Sequence, residues 1–337
     1  MEGTMKQEVI DKVVEASGVC EGDVVLVHFW GEDCYKSIAN DFTIAVASLG
    51  ATPIFLQESR TLNRRIFANT TESSYKESYF QMLENVDVVL DIFTYQPVTL
   101  GEEIESAKFE LYRNYITKLF EVLLKAKKFV QLRIPTKENA EESCMGVTEY
   151  IHRMEEAYDI DYNTLKSSCE KAKEDIEKYN KIILLSGKEC KLNFNLTGRS
   201  WHIDAGDGDW PCGEIYIAPN ERDTNGSVYF ERLFIEDIGE YEGVTINIKN
   251  GQLLHSDNKE VNLFFDSLSM ENKVICELGF GMNTNVKELC GYSVLDEKMA
   301  NSFHIAIGAN NMFGGDNAAS IHMDFVGTGY FDIQKVE

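Results

Sequence analysis

The segment DVVLVHFW at residues 23–30 decides the fold of the first half of the chain. Apolar side chains run through it almost without a break, as in a β-strand that other elements cover on both faces. A helical pattern follows at residues 37–49 and ends at Gly50, whose missing Cβ suits a left-handed helix cap. The segment ATPIFL at residues 51–56 predicts a second strand. This order predicts two parallel strands joined by a right-handed crossover.

The alternation of strand and helix patterns continues to the middle of the chain. Residues 86–93 and 129–134 have the apolar runs of buried strands, and residues 102–128 between them are helical in pattern. We therefore expect residues 1–180 to form an α/β N-terminal domain with an open parallel sheet. The charged residues 138–180 are expected to form a long helix that connects this domain to the next one.

Beyond residue 180 the pattern changes to short strands. Asn-Gly pairs, which favour tight hairpin turns, occur at residues 225–226 and 250–251. We expect residues 181–337 to form a β-rich α+β C-terminal domain. Its predicted strands include residues 182–185, 191–196, 228–230, 244–248 and 252–255.

The charge of the chain limits its partners. The formal net charge is −24, which repels phosphate backbones and anionic lipids, so neither nucleic acid nor a membrane is an expected partner. The turn GEDC at residues 31–34 lacks the glycine pattern of a dinucleotide site. The N-terminal segment lacks the apolar core of a signal peptide, and no run approaches the about 18 apolar residues of a membrane span. Since the eight cysteines also form no CxxC pair, we expect a cytoplasmic protein with reduced thiols.

Five polar residues interrupt apolar segments of the second half. Glu214 follows a Pro-x-Gly turn, and Glu277 and His304 each lie within an apolar strand pattern. His322 and Asp324 are two residues apart, which places both side chains on one face of a strand. Because burying an unpaired carboxylate costs several kcal/mol, each of these groups needs a strong partner.

A divalent cation would serve as the partner of all these groups together. Mixed carboxylate and imidazole ligands suit zinc, manganese, cobalt or ferrous iron, so the C-terminal domain is predicted to bind metal. The strands themselves contain no lysine or arginine, although Lys298 and Arg199 could reach the site from elsewhere and Lys298 could orient a carboxylate. Asp207 and Asp209 either line the pocket or form a polar turn, and Cys212 is either a soft ligand or a small turn residue.

The blocks around these residues resemble the aminopeptidase T family, the thermophilic-type leucyl metallo-aminopeptidases. The resemblance extends over most of the chain, and its C-terminal blocks are specific in their order and spacing. It is carried by EGDVVLVHFW, LGATPIF, LTGRSW, PCGEIYIAP, ELGFGMNTN, LDEKMANSFHIAIG and SIHMDF.

The resemblance implies a metal-dependent aminopeptidase that removes the N-terminal residue of small peptides and forms a homodimer. The ligand positions of the family match Glu214, Glu277, His304, His322 and Asp324, which implies a pair of divalent ions, Zn, Co or Mn. Glu214 and Glu277 would then be catalytic, by bridging the metals or by transferring protons.

Asn311 departs from the family pattern. The family's peptidases carry a tyrosine seven residues after the histidine that matches His304, and here that position is Asn311. The loop between His304 and His322 is also shorter than is usual in the peptidases. An asparagine can donate a hydrogen bond but cannot serve as a phenolic acid. Asn311 is therefore a candidate catalytic residue with altered chemistry.

Two alternative functions follow from the same residues. Certain dihydroxypyridine ring-cleaving dioxygenases resemble this scaffold, and His304, His322 and Asp324 would supply the two-histidine, one-carboxylate set that binds a single Fe(II). The third hypothesis is a binding protein that keeps the fold, with or without the metal, but has lost catalysis, which the change at Asn311 allows.

Overall fold

The computed structural model describes residues 5–187, 189–236 and 238–336. The chain forms two compact units. The first comprises Met1–Tyr162 and Gly206–Pro211, and the second comprises Asn163–Ala205 and Cys212–Glu337. Within the described ranges, no helix has both the length and the apolar character that crossing a bilayer requires.

Helices dominate the first part of the chain and strands the second. The helices are α1 (Gln7–Ala16), α2 (Lys36–Ser48), α3 (Arg60–Asn69), α4 (Glu77–Gln81), α5 (Ser106–Leu123), α6 (Lys137–Glu142), α7 (Val147–Tyr158), α8 (Tyr162–Ile176), α9 (Lys259–Ser267) and α10 (Ser293–Asp296), with short 3₁₀ helices at Asp33–Tyr35 and Glu271–Lys273. The strands are β1 (Val24–Trp30), β2 (Thr52–Glu58), β3 (Val88–Phe93), β4 (Lys128–Arg133), β5 (Lys181–Ser186), β6 (Cys190–Asn195), β7 (His202–Asp204), β8 (Asp209–Trp210), β9 (Glu214–Ile217), β10 (Asn225–Ile235), β11 (Gly239–Lys249), β12 (Gln252–Ser256), β13 (Ile275–Gly281), β14 (Phe303–Gly308), β15 (His322–Gly327) and β16 (Phe331–Val336).

The first unit is built on a parallel sheet with the strand order β2-β1-β3-β4-β8. Side chains alternate along β1, so Val25, Val27 and Phe29 face one side of the sheet and Leu26 and Trp30 face the other. All five are at most 1% exposed. Leu26 and Trp30 join an apolar core that includes side chains of α3 and α5. The predicted parallel sheet is confirmed, and its strands β1 and β3 are buried on both faces, whereas the edge strand β2 is partly exposed.

The helix predictions for this half are partly wrong. The cap after α2 is as predicted, because Gly50 has a φ of 78° that its missing Cβ allows. The long helix predicted for residues 138–180 is instead three helices, α6, α7 and α8. Gly146 precedes α7, and the backbone leaves the helical conformation at Asp159, where ψ is 61°. Because α8 lies almost entirely in the second unit, the boundary between the units falls before residue 180.

Two antiparallel sheets form the second unit, as the β-rich pattern predicts. Sheet B has the order β12-β11-β10-β6-β5-β16, and sheet C has the order β15-β14-β13-β9-β7. Asn250 and Gly251 form the predicted hairpin turn, with φ of 52° and 75°. The turn predicted at Asn225 and Gly226 is wrong, since both residues lie within β10. A Cβ on Gly226 would lie 2.0 Å from the carbonyl oxygen of Lys191, so this glycine permits a close approach of two strands.

Candidate metal centre

Sheet C brings the five predicted ligands together. Glu214 is the first residue of β9, Glu277 lies in β13 and His304 in β14, and β15 carries His322 and Asp324. These four strands are consecutive neighbours in the sheet. The segments that the sequence singled out separately are therefore adjacent in space.

The register of sheet C points these side chains to one face. In an antiparallel sheet, directly paired residues point to the same face, as do residues two apart along one strand. Three of the four cross-strand partners are glycines, and one of them, Gly279, leaves room for the ring of His304. The pairs are Glu214–Gly281, His304–Gly279, Asp324–Ala306 and His322–Gly308.

Glu277 lies between the two histidines. Its Oε1 is 3.1 Å from Nε2 of His304, and its Oε2 is 3.5 Å from Nε2 of His322. Oε2 of Glu214 is 3.3 Å from the same His304 nitrogen, and Oδ2 of Asp324 is 3.7 Å from that of His322. Two groups of donor atoms result, each within 4.8 Å. We call Glu214–Glu277–His304 the Glu214 position and Glu277–His322–Asp324 the Asp324 position.

The donor atoms of these two positions fit divalent cations. Glu214 and Glu277 are buried and His304 is completely buried. Among the described residues, Oε2 of Glu214 is buried without a hydrogen-bond partner, and leaving such an atom unpaired costs about 1–3 kcal/mol. A metal ion bound by Glu214, Glu277 and His304 would remove this cost. The side chain of His322 is 35% exposed, which leaves the Asp324 position accessible from one side.

Hydrogen bonds orient the ring of His322. Its Nδ1 lies 2.8 Å from the carbonyl oxygen of Ala309 and 3.6 Å from Sγ of Cys276. A proton on Nδ1 is donated to the carbonyl oxygen, and this tautomer leaves the lone pair of Nε2 directed at the carboxylates. Supporting contacts of this kind are typical of histidine ligands to metals.

Lys298, considered from the sequence as a cation that could reach the site, lies within the centre. It is 1% exposed, and its Nζ lies 2.5 Å from Oε1 of Glu214, 2.9 Å from Oε1 of Glu297 and 3.3 Å from Oδ2 of Asp204. The orienting role considered for Lys298 is consistent with its contact with Glu214. Asp204 was missed because the short strand β7 has too few residues for a recognisable alternation.

Burial and neighbouring charges perturb the pKa values of the centre. Burial raises the pKa of Glu214 to about 8 and outweighs the opposing effect of Lys298. Burial alone would lower the pKa of His304, but the hydrogen bond with Glu277 and the nearby carboxylates raise it to about 9. Burial alone would raise the pKa of Glu297, but Lys298 lowers it to about 2. Such opposed shifts among adjacent groups are typical of functional sites.

The loop between β14 and β15 contains Asn311, the residue that departs from the pattern of the aminopeptidase T family. The side chain of Asn311 is exposed. Its neighbour Asn310 is buried and donates from Nδ2 to Oε1 of Glu221 at 3.0 Å. Phe313 packs against the rings of His322 and Tyr216, with ring centroids 5.9 and 5.4 Å apart. The structure thus packs Phe313 against the ring of one predicted ligand, whereas the side chain of Asn311 is exposed.

Several other residues singled out from the sequence belong to neither ligand group. Arg199 pairs with Glu221 at 2.7 Å, so it does not neutralise a predicted ligand. Asp207 is exposed, and Asp209 pairs with an arginine of the first unit. Cys212 is buried, but it belongs to neither group of donor atoms.

A sequence model of thermophilic metalloproteases (M29) matches residues 21–336. The chain belongs to this M29 metalloprotease family. The membership confirms the family predicted from the sequence blocks and makes the protein an enzyme of a metal-dependent peptidase class. No curated protein matches the chain by sequence.

Two solved structures share the fold of this M29 family member. Wild-type AmpT from Thermus thermophilus matches with a TM-score of 0.69 and 14% identity, over 98% of this chain and 95% of that one. The 2,5-dihydroxypyridine dioxygenase from Pseudomonas putida KT2440 matches with a TM-score of 0.66 and 13% identity, over 98% and 93% of the two chains. At these identities both likenesses bear on the fold alone.

Proposed function

We propose that the protein is a metal-dependent aminopeptidase that hydrolyses small peptides with two divalent ions. The observation that carries this proposal is the position of Glu277, whose two oxygens face different histidines at 3.1 and 3.5 Å. One carboxylate with one oxygen in each of two donor groups is the arrangement expected of a bridging ligand. Co-catalytic metal pairs lie about 3.5–4 Å apart, which such a bridge permits.

The charge of the centre supports two ions. Five carboxylates lie in it, those of the two groups together with Glu297 and Asp204, and Lys298 supplies one ammonium. With all five ionised and both histidines neutral, four negative charges remain. Two divalent cations neutralise them, whereas one would leave a buried excess that is costly.

The residues divide into distinct proposed roles. When bound, the ions polarise a peptide carbonyl and lower the pKa of a water. Glu277 holds the two donor groups together, so the bridging role falls to it and not to Glu214. Lys298 holds Glu214 through Oε1 and leaves Oε2 toward His304. The carbonyl of Ala309 keeps Nε2 of His322 directed at Asp324 and Glu277.

Removal of an N-terminal residue is the proposed reaction because of the resemblance to the aminopeptidase T family. The likeness to AmpT supports the same scaffold. The dioxygenase hypothesis has less support. Its single Fe(II) would need His304, His322 and Asp324 in one group, but in the described residues the two histidines fall into different groups.

The proposal is tested by counting metals and measuring turnover on the full chain. Protein purified anaerobically is analysed for metal content and then assayed with chromogenic aminoacyl substrates and added cobalt, manganese or zinc. We expect two ions per chain and hydrolysis of at least one substrate. One iron per chain would favour the dioxygenase, and two ions without turnover on any substrate would favour the binding protein. Either result would overturn the aminopeptidase proposal.

A further inference from the structure

The ammonium group of Lys298 is buried among the carboxylates of the metal centre. Its side chain is 1% exposed and reaches the Oε1 atoms of Glu214 and Glu297 at 2.5 and 2.9 Å. Lysine is almost never fully buried unless it is paired. An ammonium in this place lies at a fixed position within a centre whose other groups can bind cations from solution.

The backbone holds Lys298 in place. Its carbonyl oxygen accepts from the backbone N–H of Asn283 at 2.8 Å. Asp204, the third carboxylate at the ammonium, is paired directly with Glu214 between β7 and β9. The ammonium is therefore fixed from its own turn and from the sheet, and it has little freedom to leave Glu214.

The two metal positions differ in their relation to this ammonium. At the Glu214 position, one oxygen of Glu214 is taken by Lys298, and only Oε2 remains for a metal. At the Asp324 position, Glu277 and Asp324 pair with histidines, and no lysine or arginine ion pair reaches them within the described ranges. A cation at the Glu214 position is thus repelled by a nearby like charge, which a buried site screens poorly.

Resting on the two-metal function proposed above, we propose that Lys298 is a positioning residue that sets the order of metal loading. It limits Glu214 to one available oxygen and repels a second cation. The Asp324 position therefore fills first, and the Glu214 position binds its ion at least about tenfold more weakly. The protein with one ion is a stable intermediate, and the second ion is the one that responds to metal supply.

The test is a stepwise titration of the metal-free full chain with Mn²⁺, followed by calorimetry and by metal analysis after dialysis. The wild type is expected to show two resolved affinities. Lys298→Met keeps the length of the side chain without its charge, and the weaker affinity should increase at least about tenfold. Lys298→Arg keeps the charge and should retain two separated affinities. Lys249→Met, on an exposed lysine of β11, is the matched control and should change nothing.

Two further variants assign the positions and guard against misfolding. His322→Ala should remove the tighter affinity, and His304→Ala the weaker one. If Lys298→Met does not fold, the charge-balanced pair Lys298→Met with Asp204→Asn replaces it and should show the same increase.

The outcomes separate this inference from the proposed function. Two ions bound with equal affinity by the wild type, or separate affinities that persist without the lysine charge, would overturn the loading order and leave the two-metal enzyme intact. A single ion bound by both the wild type and the charge-free variant would overturn the two-metal function and the loading order together.

Discussion

Among single residues, Glu277 and Gly279 show how β13 builds the centre. The two are on the same face of the strand, and the carboxylate of Glu277 reaches both histidines. Gly279 contributes by what it lacks, because a Cβ there would lie 2.0 Å from Nε2 of His304. One residue supplies a donor and the other supplies the space for a donor. We therefore expect substitutions at Glu277 and at Gly279 to weaken metal binding in different ways.

Glu277→Gln removes the charge from the proposed bridging ligand and keeps its size. We expect both ions to bind far more weakly, by more than the about 10–100-fold that loss of a supporting group costs at a metal site. Calorimetric titration with Mn²⁺ measures this, and Glu271→Gln, at an exposed carboxylate of the same unit, is the control. Loss of only one of the two ions would show that Glu277 does not bridge.

Gly279→Ala places a methyl group against the ring of His304. The ring has to move, so the Glu214 position should lose affinity while the Asp324 position keeps most of it. Overpacking of this kind also costs typically about 1–3 kcal/mol in the free energy of unfolding. The control is Gly146→Ala, where nothing lies within 4 Å of the added carbon. Unchanged metal binding in Gly279→Ala would contradict the placement of His304.

At the scale of elements, sheet C and the loop between β14 and β15 contribute different parts of the centre. The sheet supplies all five predicted ligands, and the loop supplies an aromatic contact through Phe313. Glu221 anchors the loop by accepting from Asn310 and from the backbone of Asp316, at 3.0 and 2.7 Å. The loop is thus fixed at points that flank Asn311, whose own side chain is exposed.

Asn311→Ala tests whether the departure from the family pattern affects catalysis. Because the side chain is exposed and outside the donor groups, we expect kcat/KM for an aminoacyl substrate to change less than about threefold, or about 0.7 kcal/mol of barrier. Phe313→Ala, two residues along the same loop, should have the larger effect because its ring packs on His322. The opposite ranking in steady-state kinetics would restore Asn311 as a catalytic candidate.

Features of the centre could be predicted from the sequence where a few neighbouring residues carry the pattern, and could not where distant segments come together. The ligand strands could be recognised because Glu277 and His304 each interrupt a buried run, and that signal is confined to a few residues. The partners of Lys298 could not be recognised, because Asp204 and Glu214 meet it only through strand pairing and a turn. The same limit explains the hairpin wrongly assigned to Gly226, where the glycine serves a distant strand.

At the scale of the whole molecule, the net charge of −24 affects stability mainly through the carboxylates that lie in the metal centre. Most of the acidic residues are dispersed, but five carboxylates lie together in the centre, and three of them contact its ammonium, that of Lys298. In the metal-free protein, burial raises the pKa of Glu214 and of Asp324, so these two carboxyl groups keep their protons to a higher pH than exposed ones do. Its stability therefore depends on pH in a way that metal should reverse.

The metal-free protein is expected to lose stability as the pH rises from 6.5 to 9. The folded pKa values of Glu214 and His304, about 8 and about 9, lie above the ordinary 4.5 and 6.5. Their contributions are complete below those ordinary values and are lost as the pH rises through the folded ones. Glu297, with its pKa of about 2, loses its contribution only in acid and does not affect this window. Metal requires deprotonated ligands, so its stabilising effect should grow over the same range.

Thermal unfolding across this range, with chelator or with saturating Mn²⁺, measures both effects. The difference in Tm between the two conditions should widen toward pH 9. Glu214→Gln cannot lose a proton, so its metal-free profile should be flatter. A wild-type Tm that stays constant from pH 6.5 to 9 in chelator would contradict the raised pKa values.

Strand β8 has a consequence for how relatives of this protein can exchange parts. Because Gly206–Pro211 belongs to the first unit while the residues on either side belong to the second, the chain passes between the units at three places. A single genetic crossover after residue 162 would join a foreign second half that brings its own version of this parallel strand. A chimaera that replaces only the second unit therefore needs three junctions. A chimaera with a single junction would combine strands β1 to β4 of one protein with strand β8 of the other at the edge of the parallel sheet.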